Sequence, residues 1–356
     1  MVKYKQIAGE LRNQILSAGN LKPHKLPTEL ELCQKYGVSR QTVRQALLTL
    51  EDEKLITRRQ GSGAYTVPQA EHLREKKIIL LISEENEYIY PKFIGTLRSE
   101  LRRHNLSLTV FATENDINKE RTILTKLLDE SVFLIISELP MSIFPNPNMD
   151  LYEKLMVSGT KIIFINQSPI PMSGAFYLYS DDMTGGILAG EHLISMRRTR
   201  PFVLLPDYIY NAHLRYAGLQ AAYREYQMPI PSDNVFRYSK KDLHLLRTRR
   251  DTGFLTEFVQ KHATNCDSVL CYSDEIAYRL IKELSYAGIS VPGQLAVISF
   301  DNSYLCTLSN PVLTSLGLSA GEPVTTLCSM IQSLLHEEET ENKILPWKIF
   351  SRGSTK

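Results

Sequence analysis

The sequence predicts a fold in two parts: a small α+β domain at the N-terminus and a larger α/β domain with two lobes behind it. Three observations support this. The chain has 356 residues, which is more than one hydrophobic core usually serves. Residues 1–70 hold six lysines and five arginines against six acidic residues, whereas the remainder holds 30 basic and 33 acidic residues. Beyond residue 77, short β-branched runs alternate with amphipathic segments, a pattern typical of a parallel sheet covered by helices.

The N-terminal part begins with two helices. Apolar residues recur at helical spacing from Tyr4 to Ile15 and predict a first helix that ends at Gly19. Thr28 then stands where an N-cap is expected, and Glu31, three residues later, completes a capping box. We therefore expect a second, short helix to begin directly after Thr28.

A third helix carries polar side chains of the kind that read DNA. Gly37 supplies a turn, Ser39 is placed to cap this helix, and the periodicity runs to Asp52. Opposite its apolar side lie Arg40, Gln41, Arg44 and Gln45. Arginine can form a forked pair with guanine, and glutamine can do the same with adenine. Leu48 also points outward, and we expect it to pack beneath the segment that follows.

That following segment, residues 55–67, predicts two short strands around the sequence Gln60-Gly61-Ser62-Gly63. Glycines at the tip let the backbone approach a phosphate or a minor groove closely. Arg58 and Arg59 supply positive charge beside the tip. Three helices followed by this hairpin make a winged helix-turn-helix.

The run LPTELELCQKYGVSRQTVRQALLTLEDEKLITRRQGSGAYTV resembles the winged helix-turn-helix of the GntR family of bacterial transcription factors, over residues 3–67. The resemblance implies that residues 1–68 form a domain that binds double-stranded DNA. Many family members carry arginine where Leu30 stands here, so the operator sequence stays open. The residues that the resemblance places on DNA are Lys3, Thr28, Ser39, Arg40, Gln41, Arg44, Gln60 and Gly61.

Residues 69–76 are polar and lack apolar periodicity, so we expect a linker there and a second domain over residues 77–356. Strands are expected at KIILLIS, SLTVFA, VFLIIS, KIIFIN, PFVLLP, SVLCY and LAVISF. Helices are expected over residues 93–104, 117–128, 151–157, 183–196, 213–226, 254–262 and 276–287. Two consecutive halves of this kind predict two lobes.

Signatures of several enzyme classes are absent from the sequence. No GxGxxG or Walker loop follows the strand at residues 78–82, no histidines stand at HExxH or HxxxH spacing, and no GxSxG elbow occurs. We therefore expect no catalytic residue, no metal site and no cofactor. Five cysteines without a CxxC motif are expected to be reduced. A cytoplasmic protein is expected, because we find neither a signal peptide nor an apolar run near the ~18 residues of a membrane span.

Several fragments of the larger domain resemble the effector domain of the lactose/galactose-repressor family, a two-lobed periplasmic-binding-protein-like fold. They lie in consistent order over residues 77–354 and include YSDDMTGGILAGEHLI, LRYAGLQAA, LCYSDEIAYRLIKELSYAGISVPGQLAVISFDN and NPVLTSL. The resemblance implies a ligand in the cleft between the lobes, where strands of open α/β folds end.

Within that cleft, Arg215 matches the arginine with which the family grips a sugar, and Asp301 matches an acceptor on the opposite wall. A structural ion pair is the alternative for these two residues, and core packing is the alternative for the aromatic candidates. The further effector-binding candidates are Tyr90, Phe93, Glu138, Asn166, Tyr272, Ser273 and Asp274.

The combination of the two domains, together with the runs YIYPKFIGTL, NPNMDLYEKL and IIFINQSP, resembles the arabinose-utilisation repressors of Gram-positive bacteria. It implies a homodimer that binds an inverted-repeat operator and represses carbohydrate-utilisation genes until a sugar releases it, with L-arabinose as the leading candidate. Three alternatives remain open: a hexose, nucleoside or sugar-phosphate effector; a ligand that strengthens DNA binding; and an α/β enzyme fused to a DNA-binding domain.

Overall fold

The computed structural model describes residues 3–17, 23–53, 55–59, 62–67, 76–86, 88–104, 106–166 and 172–356. The N-terminal domain contains the predicted three helices and hairpin. Its elements are α1 (Lys3–Ser17), α2 (Glu29–Tyr36), α3 (Arg40–Asp52) and the antiparallel strands β1 (Ile56–Arg59) and β2 (Gly63–Thr66). The winged helix-turn-helix prediction is confirmed.

The caps of α2 and α3 form as the sequence predicts. Thr28 Oγ1 accepts a hydrogen bond from the Glu31 N–H at 3.3 Å, and Glu31 Oε2 accepts one from the Thr28 N–H at 2.7 Å. Gly37 ends α2 in the left-handed conformation with φ 62°. Ser39 Oγ accepts from the Thr42 N–H at 3.3 Å and starts α3. These local bonds fix the angle between the two helices of the motif.

The second domain contains two six-stranded sheets. The first has the strand order β13-β7-β6-β5-β3-β4 and the second β14-β12-β11-β10-β8-β9. The recorded pairings are parallel, except that β14 runs antiparallel to β12. The strands are β3 (Lys77–Ile82), β4 (Ser107–Ala112), β5 (Leu134–Ser137), β6 (Lys161–Ile165), β7 (Phe176–Ser180), β8 (Pro201–Pro206), β9 (Val235–Tyr238), β10 (Ser268–Cys271), β11 (Ala296–Phe300), β12 (Thr314–Gly317), β13 (Lys343–Leu345) and β14 (Lys348–Phe350).

Helices cover these sheets. They are α4 (Tyr90–Arg103), α5 (Ile117–Leu127), α6 (Met149–Val157), α7 (Asp182–Ser195), α8 (Tyr210–Glu225), α9 (Lys240–Arg249), α10 (Gly253–His262), α11 (Asp274–Tyr286), α12 (Leu305–Leu308) and α13 (Glu322–Leu335). Because β3–β7 and β13 belong to one sheet and β8–β12 and β14 to the other, the chain passes between the lobes three times. The prediction of a two-lobed α/β domain is confirmed. Ligands of such open α/β folds bind where the strands end.

Glycines hold α7 and α8 unusually close together. A Cβ atom on Gly186 would overlap the backbone carbonyl of Arg215, and one on Gly218 would overlap the carbonyl of Met183. Only glycine lets two helix backbones approach this closely. This contact sets the position of Arg215 relative to the first turn of α7.

We therefore expect Gly218→Ala to lower the free energy of unfolding by about 2 kcal/mol or more, because the backbones of α7 and α8 must separate. The matched control is Gly95→Ala in α4, where an added Cβ meets no atom within 4 Å. The control should be neutral or stabilise by up to about 1 kcal/mol, because alanine favours helix. Urea unfolding followed by circular dichroism measures both. Equal effects of the two substitutions would contradict the tight contact.

Candidate DNA interface and effector site

The polar face of α3 is free to contact DNA within the N-terminal domain. Arg40, Gln41 and Arg44 are exposed. The opposite face, formed by Val43, Ala46, Leu47 and Leu50, is buried in the domain core. The helix therefore presents base-reading side chains on one side and is anchored by the other.

Arg44 is held in place by its surroundings but stays accessible. Its Nε lies 2.9 Å from Glu29 Oε2 at the start of α2, and its side chain is 62% exposed. Arg58 of the hairpin donates to the Arg44 carbonyl at 3.3 Å and pairs with Glu51 at 3.1 Å. Exposed ion pairs of this kind contribute at most about 1 kcal/mol. Arg44 can therefore exchange Glu29 for a base edge or a phosphate at little cost.

The remaining predicted DNA-binding residues differ in what the structure shows. Lys3 is exposed at the start of α1. Thr28 and Ser39 use their hydroxyls as caps, which leaves the first turns of α2 and α3 exposed to an anion. Gln60 and Gly61 lie outside the described residues. The expectation for Leu48 is wrong: its side chain is 41% exposed and does not pack beneath the hairpin.

In the second domain, Arg215 lies at the centre of the cleft wall formed by the second lobe. Its Nε lies 2.7 Å from Asp182 Oδ1, and its Nη1 donates to the Tyr272 carbonyl at 2.7 Å. The guanidinium lies 4.1, 4.6 and 4.9 Å from the ring centres of Phe300, Tyr272 and Trp347. Burial, the largest single effect, lowers the pKa of Arg215, but the charges of Asp182, Tyr272 and Asp301 and the hydrogen bond to Asp182 together raise it above its usual value.

Asp301 follows β11 and faces the same cleft. Its Oδ2 accepts a hydrogen bond from the Tyr88 hydroxyl at 2.7 Å. Burial raises the pKa of Asp301 to about 7, although the nearby Arg215 charge opposes this shift. The backbone of Asp301 has φ 103°, a conformation rarely adopted by residues other than glycine. Such strain is often kept where a side chain must point in one particular direction.

Glu138 organises the cleft wall of the first lobe. Its carboxylate accepts from the Tyr90 hydroxyl at 3.0 Å, from the Ser83 N–H at 3.1 Å and from Asn166 Nδ2 at 3.3 Å. The structure therefore brings three of the predicted residues, Tyr90, Glu138 and Asn166, into one network. Burial, and then the Glu138 charge, raise the pKa of the Tyr90 phenol well above its ordinary value, so Tyr90 stays a donor.

Tyr272 lies close to charged residues of both cleft walls. Burial raises the pKa of its phenol, and charges on both lobes act on it: Arg215, Asp301 and Asp182 from the second lobe and Glu138 from the first. Carboxylates, a guanidinium and aromatic faces thus converge at the ends of the strands of both sheets. Hydroxyl-rich ligands are bound by such groups.

Asp274, predicted to contact the effector, is engaged by its own lobe instead. Its carboxylate accepts from Ser299 Oγ at 2.5 Å, from Ser315 Oγ at 2.6 Å and from the Ser303 N–H at 2.6 Å. It is fully buried, so we assign it a structural role. The neighbouring Ser273 is buried as the N-cap residue of α11, without a side-chain cap bond. Phe93 is half-buried in the first turn of α4, and the structure does not join it to the Glu138 network.

The sequence did not point to four residues that complete this site: Tyr88, Asp182, Asn211 and Trp347. Asn211 stands one helical turn before Arg215 and donates to the Asn166 carbonyl at 2.8 Å, while its own Oδ1 is buried without a partner. The Trp347 side chain acts as a hydrogen-bond donor to the Asp182 carboxylate. Buried polar atoms are usually bonded, so Asn211 Oδ1 is available to a ligand. The spacing of Asn211 and Arg215, four residues apart on one helix, was the signal that could have revealed Asn211.

Two kinds of site are absent from the part of the chain that the structure describes. No group of three or more His, Cys, Asp or Glu side chains could hold a metal ion there. Nor is any helix in those ranges long and apolar enough to cross a membrane.

Comparison with known protein families gives one match in the N-terminal domain and one in the second domain. Residues 3–66 match the model of the gntR family of bacterial regulatory proteins, and residues 191–355 match a periplasmic binding protein-like domain. The chain therefore combines a region similar to the gntR family of bacterial regulatory proteins with a region similar to a periplasmic binding protein-like domain.

This chain is similar to two proteins over nearly its whole length. It is 26% identical to an arabinose metabolism transcriptional repressor of Halalkalibacterium halodurans, over 95% of this chain and 91% of that protein. It is 27% identical to the protein of the same description from Geobacillus stearothermophilus, over 99% and 98% of the two chains. Among solved structures, a periplasmic binding protein/LacI transcriptional regulator from Alkaliphilus metalliredigens, complexed with D-xylulofuranose, superposes with a TM-score of 0.66 at 20% identity. That match covers 79% of this chain and 99% of that one.

Proposed function

We propose that this regulator is a repressor of carbohydrate-utilisation genes whose operator affinity is controlled by a sugar bound between the two lobes. The observation that carries the proposal is the buried Arg215, fixed by Asp182 and flanked by three aromatic rings, with Asp301 in the same cleft. A guanidinium held in this way can donate to two neighbouring hydroxyls at once. Aromatic faces suit the C–H face of a sugar ring.

L-arabinose is the effector we propose first. Two relatives that match over more than nine-tenths of both chains are described as arabinose metabolism repressors. The described residues of the site offer donors and acceptors for hydroxyl groups, which suit a neutral sugar. We propose a binding function without catalysis and without a cofactor, exercised on DNA in the cytoplasm.

The effector and the operator are coupled thermodynamically in this proposal. If L-arabinose binds the DNA-free form of the regulator more tightly, then it must weaken operator binding by the same factor, typically about 5- to 150-fold. A corepressor would show the opposite sign. The sign of this coupling is therefore a direct test of repression released by sugar.

We also propose that the regulator acts as a homodimer. Three residues at or near α12 expose apolar side chains on the second lobe: Tyr304, which caps the helix, Leu308, which ends it, and Val312. Exposed apolar groups close together are typical of a protein interface, and a second copy of the chain suits an inverted-repeat operator. Sedimentation equilibrium should give the mass of two chains; a single-chain mass at micromolar concentration would contradict the dimer.

Effector binding can be measured without a label, because Trp347 is the one tryptophan in the sequence and lies against Arg215. We expect L-arabinose to change Trp347 fluorescence and to raise the melting temperature. At a sugar concentration of 100 times the Kd, the free energy of unfolding should increase by about 2.7 kcal/mol. D-ribose, D-xylose, D-galactose, D-glucose, uridine and glucose 6-phosphate form the comparison set. A response to another member of this set would reassign the effector, and no response to any sugar would contradict the proposal.

A further inference from the structure

Tyr88 joins the two lobes through its hydroxyl group. It lies in the loop between β3 and α4, in the first lobe, and donates to Asp301 Oδ2 at 2.7 Å. The Tyr88 hydroxyl oxygen in turn accepts from the Asp274 N–H, at the start of α11, at 3.1 Å. Both partners belong to the second lobe. These bonds can therefore exist only while the lobes are close together.

The conformation of Tyr88 indicates that its direction is specific. Its φ of 58° lies in the left-handed region, which is a rare conformation for a bulky side chain. Burial and the Asp301 charge keep the phenol protonated. The Tyr88 hydroxyl thus has one donor and one acceptor role, and both are filled by the opposite lobe.

Other bonds cross the cleft but leave the effector carboxylates untouched. Asn211 donates to the Asn166 carbonyl at 2.8 Å, and the Tyr210 N–H donates to Ser142 Oγ at 3.0 Å. Tyr88 differs because its partner, Asp301, is an acceptor that the proposed function assigns to the sugar. A carboxylate has two oxygens with about four acceptor positions, so Tyr88 on Oδ2 leaves Oδ1 for a hydroxyl of the effector.

We propose that Tyr88 is a positioning residue that orients Asp301 for the effector and latches the lobes together before the effector binds. Its effect on sugar affinity rests on the proposed function, whereas the latch itself does not. Tyr88→Phe removes both bonds and keeps the ring. The closed arrangement of the lobes should then be less populated. For a ligand that binds only the closed arrangement, the apparent Kd should rise by the factor by which that population falls.

The latch can be tested in effector-free, full-length protein by pulsed electron paramagnetic resonance. Spin labels are placed at Val157→Cys on the first lobe and Tyr286→Cys on the second, positions that are 90% and 83% exposed. Cys33→Ser and Cys328→Ser remove the two cysteines that are not buried. Mixing with excess unlabelled protein suppresses distances between subunits. We expect Tyr88→Phe to lengthen the distance between the lobes by several ångström, whereas the matched control Tyr226→Phe, on an exposed tyrosine, should leave it unchanged.

Asp301→Ala supplies an independent route to the same result. It removes one of the two bonds of Tyr88, so it should lengthen the distance by no more than Tyr88→Phe does, and the double variant should match Tyr88→Phe. Distance distributions that match the wild type in both variants would overturn the latch. In a separate titration, Tyr88→Phe should raise the Kd for L-arabinose about 10-fold or more. If the wild type binds no sugar but the distances change as stated, then the latch stands and the proposed effector fails.

Discussion

Arg215→Ala should lower the free energy of unfolding by about 3–5 kcal/mol and abolish the response to L-arabinose. The substitution leaves the Asp182 carboxylate, which is 2% exposed, without its partner at 2.7 Å, and an uncompensated buried charge carries a cost of this size. It also removes the donors that we propose for the sugar. Thermal unfolding followed by circular dichroism measures the first effect, and Trp347 fluorescence during an L-arabinose titration measures the second.

A double variant separates stability from effector binding. Arg215→Gln combined with Asp182→Asn removes both charges and keeps groups that can bond to each other, so most of the lost stability should return. The L-arabinose response should stay absent, because the forked donor is gone. A double variant that binds L-arabinose as the wild type does would show that Arg215 is a structural ion pair and not an effector contact.

Arg44→Ala should weaken operator binding by about 1–3 kcal/mol, or about 5- to 150-fold in Kd, and leave the affinity for L-arabinose unchanged. The reason is the loss of a side chain that is two-thirds exposed on the polar face of α3. Arg103→Ala is a matched control: Arg103 is 69% exposed and pairs with Glu100 at 2.8 Å, as Arg44 pairs with Glu29. Fluorescence anisotropy with a duplex selected by the protein from a random pool measures both variants.

The salt dependence of the same titration shows whether Arg44 contacts a phosphate or a base. A phosphate contact would lower the slope of log Kd against log salt by about one and weaken all sequences equally. A base contact would relax the sequence preference at one position. Equal operator binding by Arg44→Ala and the wild type would contradict the assignment of the α3 face to DNA.

The N-terminal domain could be predicted almost completely because its signals are local. Thr28 and Glu31, and likewise Ser39 and Thr42, form bonds within three residues, so the sequence alone contains both partners. The polar face of α3 follows from its helical period. Packing of an outward side chain depends on neighbours distant in sequence, which is why the expectation for Leu48 was wrong.

The alternation of strands and helices in the second domain was predictable from the sequence, but several individual elements were not. The predicted strands and helices exist, whereas the strands β7, β9, β12 and β13 and the helices α9, α12 and α13 were not foreseen. β9 and β13 are edge strands of three or four residues with partly exposed faces, so they lack a continuous apolar run. β13 pairs with β7 across more than 160 residues of sequence, which no local pattern shows.

In the site, single residues could be predicted from the sequence, but the contacts between them could not. Arg215 was predicted from its motif, but its pairing with Asp182 was not, because their contact depends on the close approach of α7 and α8 at Gly186 and Gly218. Asp274 carried a polar side chain at the expected position, yet serines from β11 and β12 engage it. Which polar group faces a cleft is decided by such long-range neighbours.

The most direct test of sugar-controlled repression is operator binding by the wild-type regulator with and without saturating L-arabinose, at one fixed salt concentration. We expect the Kd for the selected duplex to rise by about 5- to 150-fold with the sugar, and the sugar to bind less tightly to the DNA complex by the same factor. An operator Kd that L-arabinose leaves unchanged or lowers would contradict the account.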